Sequence, residues 1–252
     1  MLKILAFCLL LFKVCVVPGI AQAPPDNPYF SRVNSFGIFA AYSNDSSHML
    51  LGDVGQRKLL EFGASYSRRV FQNRVIDLQY DAELLPVALE SDPVTHQTDQ
   101  RILPVTLPPF SYTFEPYGPC LPGSTTLTYT VKGVVFADKI TNTCSRRWTV
   151  GEGISPVGFR WNFRPQRRWQ PVIEGHGGYM YSTQTIPVEQ AGNFNFTFDV
   201  GAGMEIFKSK STRGLESVRA EYRYHHISNH NTASQNPGID NGVLQVTYVF
   251  GR

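Results

Sequence analysis

The sequence has little charge and no dominant sign of charge. Only 17% of its 252 residues are charged, and 23 Lys and Arg residues stand against 20 Asp and Glu residues. A charge-poor chain with 42% hydrophobic residues is unlike a disordered protein or a coiled coil, so both classes are excluded. The basic residues are spread along the chain, which disfavours binding to nucleic acid. We therefore expect one folded domain of ordinary size.

After its N-terminal segment the sequence lacks any apolar run of about 18 residues, so no transmembrane helix is predicted there. The N-terminal segment itself, residues 1–21, resembles a secretory signal peptide. It has a basic start at Lys3, an apolar core from Ile4 to Val17, and small residues around the expected cleavage after Ala21. Two lysines leave with this segment, which lowers the formal net charge of +3 by two. The mature chain is therefore expected to be secreted and nearly neutral.

Cysteine is scarce in the mature chain. Of the four cysteines in the sequence, two lie in the predicted signal peptide, and Cys120 and Cys144 remain. In an oxidising compartment a single remaining pair is expected to form a disulfide. The alternative is a pair of metal ligands, but the sequence has no Cys-x-x-Cys motif and no cluster of Cys with His. We predict a disulfide between Cys120 and Cys144.

Helical periodicity is almost absent, and alternation with a period of two takes its place. From Phe194 to Ile206 the even positions are apolar and the odd positions are polar or glycine, which is typical of a half-buried strand. Residues 157–164 and 76–84 show the same split. In a soluble barrel the apolar face fills the interior, whereas in an outer-membrane barrel it contacts lipid. Alternation leaves both arrangements open. The charged residues that would pair inside an outer-membrane barrel are Asp77, Asp81, Arg160, Arg164, Asp199, Glu205, Glu221 and Arg223.

The connections between strands favour the outer-membrane arrangement. We predict eight strands, at residues 36–43, 58–68, 75–85, 157–164, 169–183, 193–207, 216–228 and 241–250. Short and long connections alternate between them, as in an even-stranded barrel with both termini in the periplasm. The predicted fold class is therefore all-β, an eight-stranded antiparallel outer-membrane β-barrel.

The connection at residues 86–156 is far longer than an ordinary loop. It is rich in proline, contains both remaining cysteines, and includes a run from Leu127 to Val135 that would form a hairpin. We interpret it as a long extracellular loop stapled by the disulfide. The predicted organisation is a signal peptide at 1–21 and a single barrel domain at 22–252, with 86–156 as an insertion.

Residues with catalytic chemistry concentrate around the last two predicted strands. His226 and Ser228 are two apart on a strand and share a face, and Asp240 begins the next strand. All three belong to the apolar rows of their strands, where polar side chains are costly unless they have a function. They match the general base, nucleophile and orienting carboxylate of a catalytic triad, with Asn229 or Asn236 as amide donors for an oxyanion.

Other motifs support no competing chemistry. His225 and His230 are the companions that a metal site at His226 would need, but His225 has the opposite strand parity. The stretch at 175–178 is similar to the oxyanion strand of soluble esterases, yet the Gly-x-Ser-x-Gly elbow is absent from the sequence. We therefore expect no metal site.

The segment His226-Ile227-Ser228-Asn229, followed by Asn236 and by Gly238-Ile239-Asp240, resembles the signature of outer-membrane lipid A 3-O-deacylases of the PagL type, often labelled acyloxyacyl hydrolase-like. The resemblance implies an eight-stranded barrel that hydrolyses the acyl ester at the 3 position of lipid A without a cofactor. It also implies that His226 is the general base, Ser228 the nucleophile and Asp240 the carboxylate. Asn236 matches an oxyanion-hole residue, and Asn229 matches the residue after the nucleophile.

The sequence departs from that family at two positions. The family carboxylate is usually Glu, so Asp240 is one methylene shorter, and Asn231 stands where Gly is often found. The expected partner is lipopolysaccharide in the bacterial outer membrane, and a homodimer stays open. Two alternatives to an esterase are a non-catalytic structural or adhesive outer-membrane barrel and a soluble secreted barrel that binds a ligand.

Overall fold

The computed structural model describes residues 29–46, 49–103, 107–208 and 215–252. These residues form ten strands, which are β1 (Asn34–Ser43), β2 (Lys58–Gln72), β3 (Ile76–Leu103), β4 (Phe110–Phe114), β5 (Gly123–Val131), β6 (Val134–Phe163), β7 (Trp169–Ser182), β8 (Phe194–Phe207), β9 (Leu215–Ser228) and β10 (Ile239–Gly251). Within the described ranges, no helix has the length and hydropathy needed to cross a membrane. The predicted signal peptide at 1–21 lies outside the described residues.

Eight of the strands close into a ring. They pair antiparallel in the order β3-β2-β1-β10-β9-β8-β7-β6, and β6 pairs back with β3. The first and last strands close the wall side by side, with Phe36 opposite Phe250 and Tyr42 opposite Leu244. The all-β, eight-stranded antiparallel barrel expected from the sequence is confirmed. Most strand bounds outside 86–156 agree with the prediction within one or two residues.

The apolar residues face outward and the charged residues face the interior. Ile38 is 63% exposed and Leu244 56% exposed, whereas Arg160 and Glu205 inside the barrel are 0% exposed. A soluble barrel has the opposite distribution, because its apolar face forms the core. An apolar outer surface around a polar lumen is the pattern of an outer-membrane barrel. The question that alternation left open is thereby decided against the soluble barrel.

Ion pairs fill the lumen. Arg219 donates to Glu221 at 2.7 Å, and Arg223 donates to Glu83 at 2.9 Å. Arg160 pairs with Asp81, and all of these side chains are buried. Buried charges are tolerated only when they are paired and hydrogen-bonded. The interior is therefore a packed polar core, as the charged rows of the sequence indicated. Arg164 is the exception, since it is exposed just beyond the end of β6 and does not lie in the lumen.

The stretch 86–156 is mostly strand rather than loop. β3 and β6 continue beyond the barrel and pair as far as Leu103 opposite Ala137. β4 pairs with the outer part of β3, and β5 pairs with the outer part of β6. The result is a four-stranded sheet in the order β4-β3-β6-β5 that extends from one end of the barrel.

Prolines within β3 made the strands of this stretch hard to predict from the sequence. Pro86 lies where the register of β3 shifts against β6, which is a β-bulge. Pro93 lies between the end of the pairing with β2 at Ser91 and the start of the pairing with β4 at Thr95. Both are positions where a strand tolerates a residue without an N–H group. Sequence analysis interpreted this proline-rich stretch as a loop and missed the strand extensions.

Two expectations for this region are confirmed. β5 and β6 form the expected hairpin, and its turn residues Lys132 and Gly133 have φ angles of 49° and 81°. Left-handed turn residues of this kind match the twist of paired strands. Cys120 and Cys144 form the expected disulfide, with their Cα atoms 6.0 Å apart. The bridge joins the segment before β5 to β6.

A buried arginine joins several connections at this end of the barrel. Arg57, at the end of the β1-β2 loop, donates to Asp92 Oδ1 at 3.1 Å. It also donates to the backbone oxygens of Pro116 at 3.0 Å and Pro187 at 2.9 Å. Arg147 adds a second hydrogen bond to Asp92 at 2.8 Å. Because these partners come from separate parts of the chain, they hold the β1-β2 loop against the barrel rim.

Candidate active site

His226 and Asp240 lie directly opposite each other on neighbouring strands. They are register partners in the pairing of β9 with β10, and the Nδ1 atom of His226 lies 2.7 Å from Oδ1 of Asp240. Side chains of directly opposed residues are the closest across a sheet. The short Asp side chain therefore reaches the imidazole without any displacement of the paired strands.

The carboxylate of Asp240 is buried under the β1-β2 loop. Its Oδ2 atom accepts hydrogen bonds from the backbone amides of Leu50 at 2.7 Å and Leu51 at 2.8 Å. Its Oδ1 atom, which contacts His226, also accepts the hydroxyl of Tyr224 at 2.7 Å. Sequence analysis identified Asp240 but missed these donors, of which only Tyr224 has a side-chain signal in the sequence.

Two glycines, which have no side chain, make room for the His226-Asp240 pair. A Cβ atom on Gly52 would lie 2.6 Å from the amide nitrogen of Asp240. A Cβ atom on Gly238 would lie 3.0 Å from Cε1 of His226, and the φ of Gly238 is +65°, a left-handed value that favours glycine. The loops at 49–52 and 229–238 therefore approach the pair as closely as backbone can.

Ser228 lies on the same strand and the same outward face as His226. Residues two apart in a strand have Cα atoms about 7 Å apart. In the described part of the chain, no hydrogen bond joins Ser228 to His226, whose bonded nitrogen is Nδ1. The Nε2 atom is thus the nitrogen that remains for a nucleophile. Contacts of this type commonly shorten only when substrate binds.

The loop after Ser228 is held by asparagine side chains. Asn236 accepts the backbone N–H of Asn229 through Oδ1 at 3.0 Å, which leaves the amide nitrogen of Asn236 as a donor. Asn229 uses its own side chain within the loop, since Nδ2 donates to Gln235 at 2.7 Å and Oδ1 accepts the N–H of Asn231 at 2.9 Å. Among the described groups, Asn236 is therefore better placed than Asn229 to donate to an oxyanion.

Asn231 occupies a position that suits glycine. Its φ is 61°, and the preceding His230 has a φ of 51°, so both adopt left-handed backbone. Asn tolerates this conformation better than most residues. The backbone N–H of Asn231 is bonded to Asn229 and is not free to donate to a substrate. Asn in place of Gly at this position is therefore compatible with the left-handed turn.

Exposed aromatic residues surround the outward face of the site. Ser228 is opposite Phe196 and His226 is opposite Phe198 in the pairing of β8 with β9. These two phenylalanines are 44% and 48% exposed on the outer surface of the barrel. His230 packs edge-on against Phe196 with 6.1 Å between ring centroids. The hydroxyl and imidazole therefore open onto an apolar surface that is continuous with the barrel exterior.

The histidines near the site do not converge on one point. His225 is buried in the lumen, where its Nδ1 atom lies 3.8 Å from Glu61, while His226 lies on the opposite face of the strand. His230 lies in the loop and contacts Phe196. Across the described ranges, these three side chains do not form a common metal-binding group.

Two sets of three side chains in the lumen, each made of His176 and two carboxylates, have their potential metal-ligand atoms within 4.8 Å of one another. Arginines already pair with their carboxylates, and His176 bonds an aspartate through Nδ1 at 2.9 Å. These groups are therefore part of the ion-pair network that fills the barrel. The residues concerned are Asp81, Glu83, Glu174, His176 and Asp199.

Comparisons with known proteins identify one family and two similar structures. The family model described as "Lipid A 3-O-deacylase (PagL)" matches residues 122–249, just over half of the chain and all of the site on β9 and β10. Two solved structures are similar: the outer membrane enzyme PagL, with 15% identity, a TM-score of 0.45 and coverage of 86% of this chain and 99% of that chain, and LpxR from Salmonella typhimurium, with 8% identity, a TM-score of 0.22 and coverage of 86% and 100%. No curated protein matches significantly.

Proposed function

The chain belongs to the PagL family of lipid A 3-O-deacylases, and we propose that it is a serine esterase that removes the 3-position acyl chain of lipid A with Ser228, His226 and Asp240. The observation that carries this proposal is the 2.7 Å hydrogen bond between His226 and a buried Asp240 on the outward face of the barrel. A polar group on a lipid-facing row costs stability unless it has a function. The family match supplies the substrate class.

The arrangement accounts for each step of ester hydrolysis. Asp240 accepts the Nδ1–H of His226, so Nε2 is unprotonated and takes the proton of Ser228 as its Oγ attacks the ester carbonyl. The amide nitrogen of Asn236 donates to the tetrahedral oxyanion. Collapse breaks the bond to the sugar oxygen, which takes the proton from Nε2, and leaves an acyl ester on Ser228. Water then attacks this ester with His226 as base, and the fatty acid leaves.

The direction of the site fits a substrate that resides in a membrane. Phe196 and Phe198 border the reacting groups and are exposed on the lipid-facing surface, where an acyl chain would lie alongside them. The site lies at the end of the barrel that carries the long connections, which face outward in outer-membrane barrels. We infer that the protein resides in the outer membrane and acts on lipopolysaccharide in the outer leaflet. The family match gives no support for a homodimer.

The test is product analysis with the refolded mature protein and purified lipopolysaccharide. We expect mass spectrometry to show free 3-hydroxy fatty acid and lipid A that has lost one ester-linked acyl chain. The control substrate is lipid A that already lacks the 3-position chain, from which no fatty acid should be released. If a folded barrel with heat-modifiable gel mobility releases none from either substrate, the esterase proposal fails and the non-catalytic barrel is the better interpretation.

A further inference from the structure

We propose that Tyr224, together with the amides of Leu50 and Leu51, forms a clamp that holds Asp240 in the orientation that the triad needs. The inference rests on the proposed function and adds a positioning residue to it. Tyr224 precedes His226 by two residues on the same outward row of β9. Its hydroxyl donates to Asp240 Oδ1 at 2.7 Å, the same oxygen that contacts His226.

The strand register explains how Tyr224 reaches the carboxylate. Tyr224 is directly opposite Gly242, which is two residues after Asp240 on β10. A tyrosine is long enough to contact such a diagonal neighbour across two antiparallel strands. Its ring also packs against Phe198, with 6.5 Å between centroids, which limits its movement. The hydroxyl is thus delivered to Asp240 by the strand pairing and by a fixed ring.

Donors bind both carboxylate oxygens of Asp240, and the backbone amide of Gly52 adds a further hydrogen bond to this carboxylate. Leu50 and Leu51 bond Oδ2, while Tyr224 and His226 bond Oδ1. Rotation of the carboxylate about its Cβ–Cγ bond would break these hydrogen bonds together. Asp240 is fully buried, so water does not replace these donors. The clamp therefore keeps a single oxygen aligned with the imidazole.

The clamp also gives a short carboxylate the rigidity that positioning requires. The loop amides bind one oxygen of Asp240, and the hydroxyl of Tyr224, which lies on the outward face of β9, binds the other oxygen. Because the hydroxyl contacts the carboxylate rather than the reacting atoms, its removal should affect turnover more than substrate binding. The aromatic ring, which borders the apolar surface, is retained in Tyr224→Phe. This variant therefore isolates the hydrogen bond.

The test compares Tyr224→Phe with Tyr222→Phe, using fatty acid release from lipopolysaccharide. Tyr222 is two residues earlier in the same row and is 63% exposed, and no hydrogen bond joins its hydroxyl to Asp240 in the described structure. We expect Tyr224→Phe to lower kcat roughly tenfold with KM unchanged, since a hydrogen bond to a charged group is lost. Tyr222→Phe should retain wild-type kcat. In an Asp240→Asn background, Tyr224→Phe should cause no further loss.

Each outcome separates the clamp from the proposed function. An unchanged kcat in Tyr224→Phe overturns the clamp while wild-type activity upholds the esterase. An equal loss in the wild-type and Asp240→Asn backgrounds also overturns it, because the tyrosine would then act independently of Asp240. A loss confined to KM assigns Tyr224 to substrate binding and overturns the positioning role. Absence of release by folded wild-type protein overturns the proposed function and the clamp with it.

Discussion

Replacing Asp240 with Asn should disable the site while preserving the barrel. The amides of Leu50 and Leu51 both donate to Oδ2, so an asparagine at 240 must direct its carbonyl oxygen toward them. Its NH₂ group then faces Nδ1 of His226, which lies 2.7 Å from the present Oδ1. A donor at that position requires Nδ1 to be an acceptor and moves the imidazole proton to Nε2. The imidazole is then unable to accept the proton of Ser228.

The expected loss follows from this change of tautomer. In serine proteases the same Asp-to-Asn substitution leaves the geometry intact and lowers kcat by about 10⁴. We expect a decrease of about 10³ to 10⁴ in Asp240→Asn, which corresponds to about 4 to 5.5 kcal/mol of transition-state stabilisation. KM should change little, because Asp240 is buried and does not reach the surface where substrate lies.

The assay is the initial rate of 3-hydroxy fatty acid release from lipopolysaccharide by refolded protein. Heat-modifiable gel mobility checks that the variant forms the barrel. Asp45→Asn is the matched control, since it removes one carboxylate from an exposed position of the β1-β2 loop and should leave the rate unchanged. A rate for folded Asp240→Asn within about tenfold of wild type would refute the tautomer argument.

Three further changes test the surroundings of the site. Arg57→Met removes one of the two arginines that pair with the buried Asp92 and should lower barrel stability by about 1.5 to 3 kcal/mol, measured as the urea midpoint in detergent micelles. An unchanged midpoint would contradict the role of the Arg57-Asp92 pair. Gly238→Ala should cost about 1 to 2 kcal/mol through its left-handed backbone and lower turnover by roughly tenfold or more, whereas Gly123→Ala, whose Cβ meets nothing within 4 Å, should change neither. Replacing Cys120 and Cys144 by Ser opens a bridge with a sequence separation of 24 and should destabilise the protruding sheet by about 3 kcal/mol. Limited proteolysis measures that loss, while fatty acid release should stay at the wild-type rate.

The barrel was predictable because lipid and lumen impose opposite polarity on alternate residues. β8 shows this most clearly, with exposed Phe194, Phe196 and Phe198 alternating with buried polar residues. The same pattern is weak in the protruding sheet. Every residue of β5 is exposed, so the two faces of this strand do not differ in burial. Together with the prolines in β3, this explains why 86–156 was read as a loop.

The candidate site could be predicted only for side chains whose polarity differs from that of the other residues on the same face of a strand. His226, Ser228 and Asp240 are polar residues in apolar rows, which made them visible in the sequence. Tyr224 belongs to the same row but has the character of an ordinary interfacial aromatic. The amides of Leu50 and Leu51 give no signal in the sequence, because they are backbone groups that reach Asp240 from a loop about 190 residues away. These backbone donors could therefore be identified only from the structure.

The most direct measurement of the central claim is the rate of fatty acid release by Ser228→Ala. The matched control is Ser234→Ala, because Ser234 lies in the adjoining loop and donates its hydroxyl to the backbone of Gln190 at 3.0 Å. Loss of the nucleophile lowers turnover of a serine triad by about 10⁶. We expect no release above background from folded Ser228→Ala and the wild-type rate from Ser234→Ala. Release by Ser228→Ala at a rate close to wild type would contradict the assignment of Ser228 as the nucleophile.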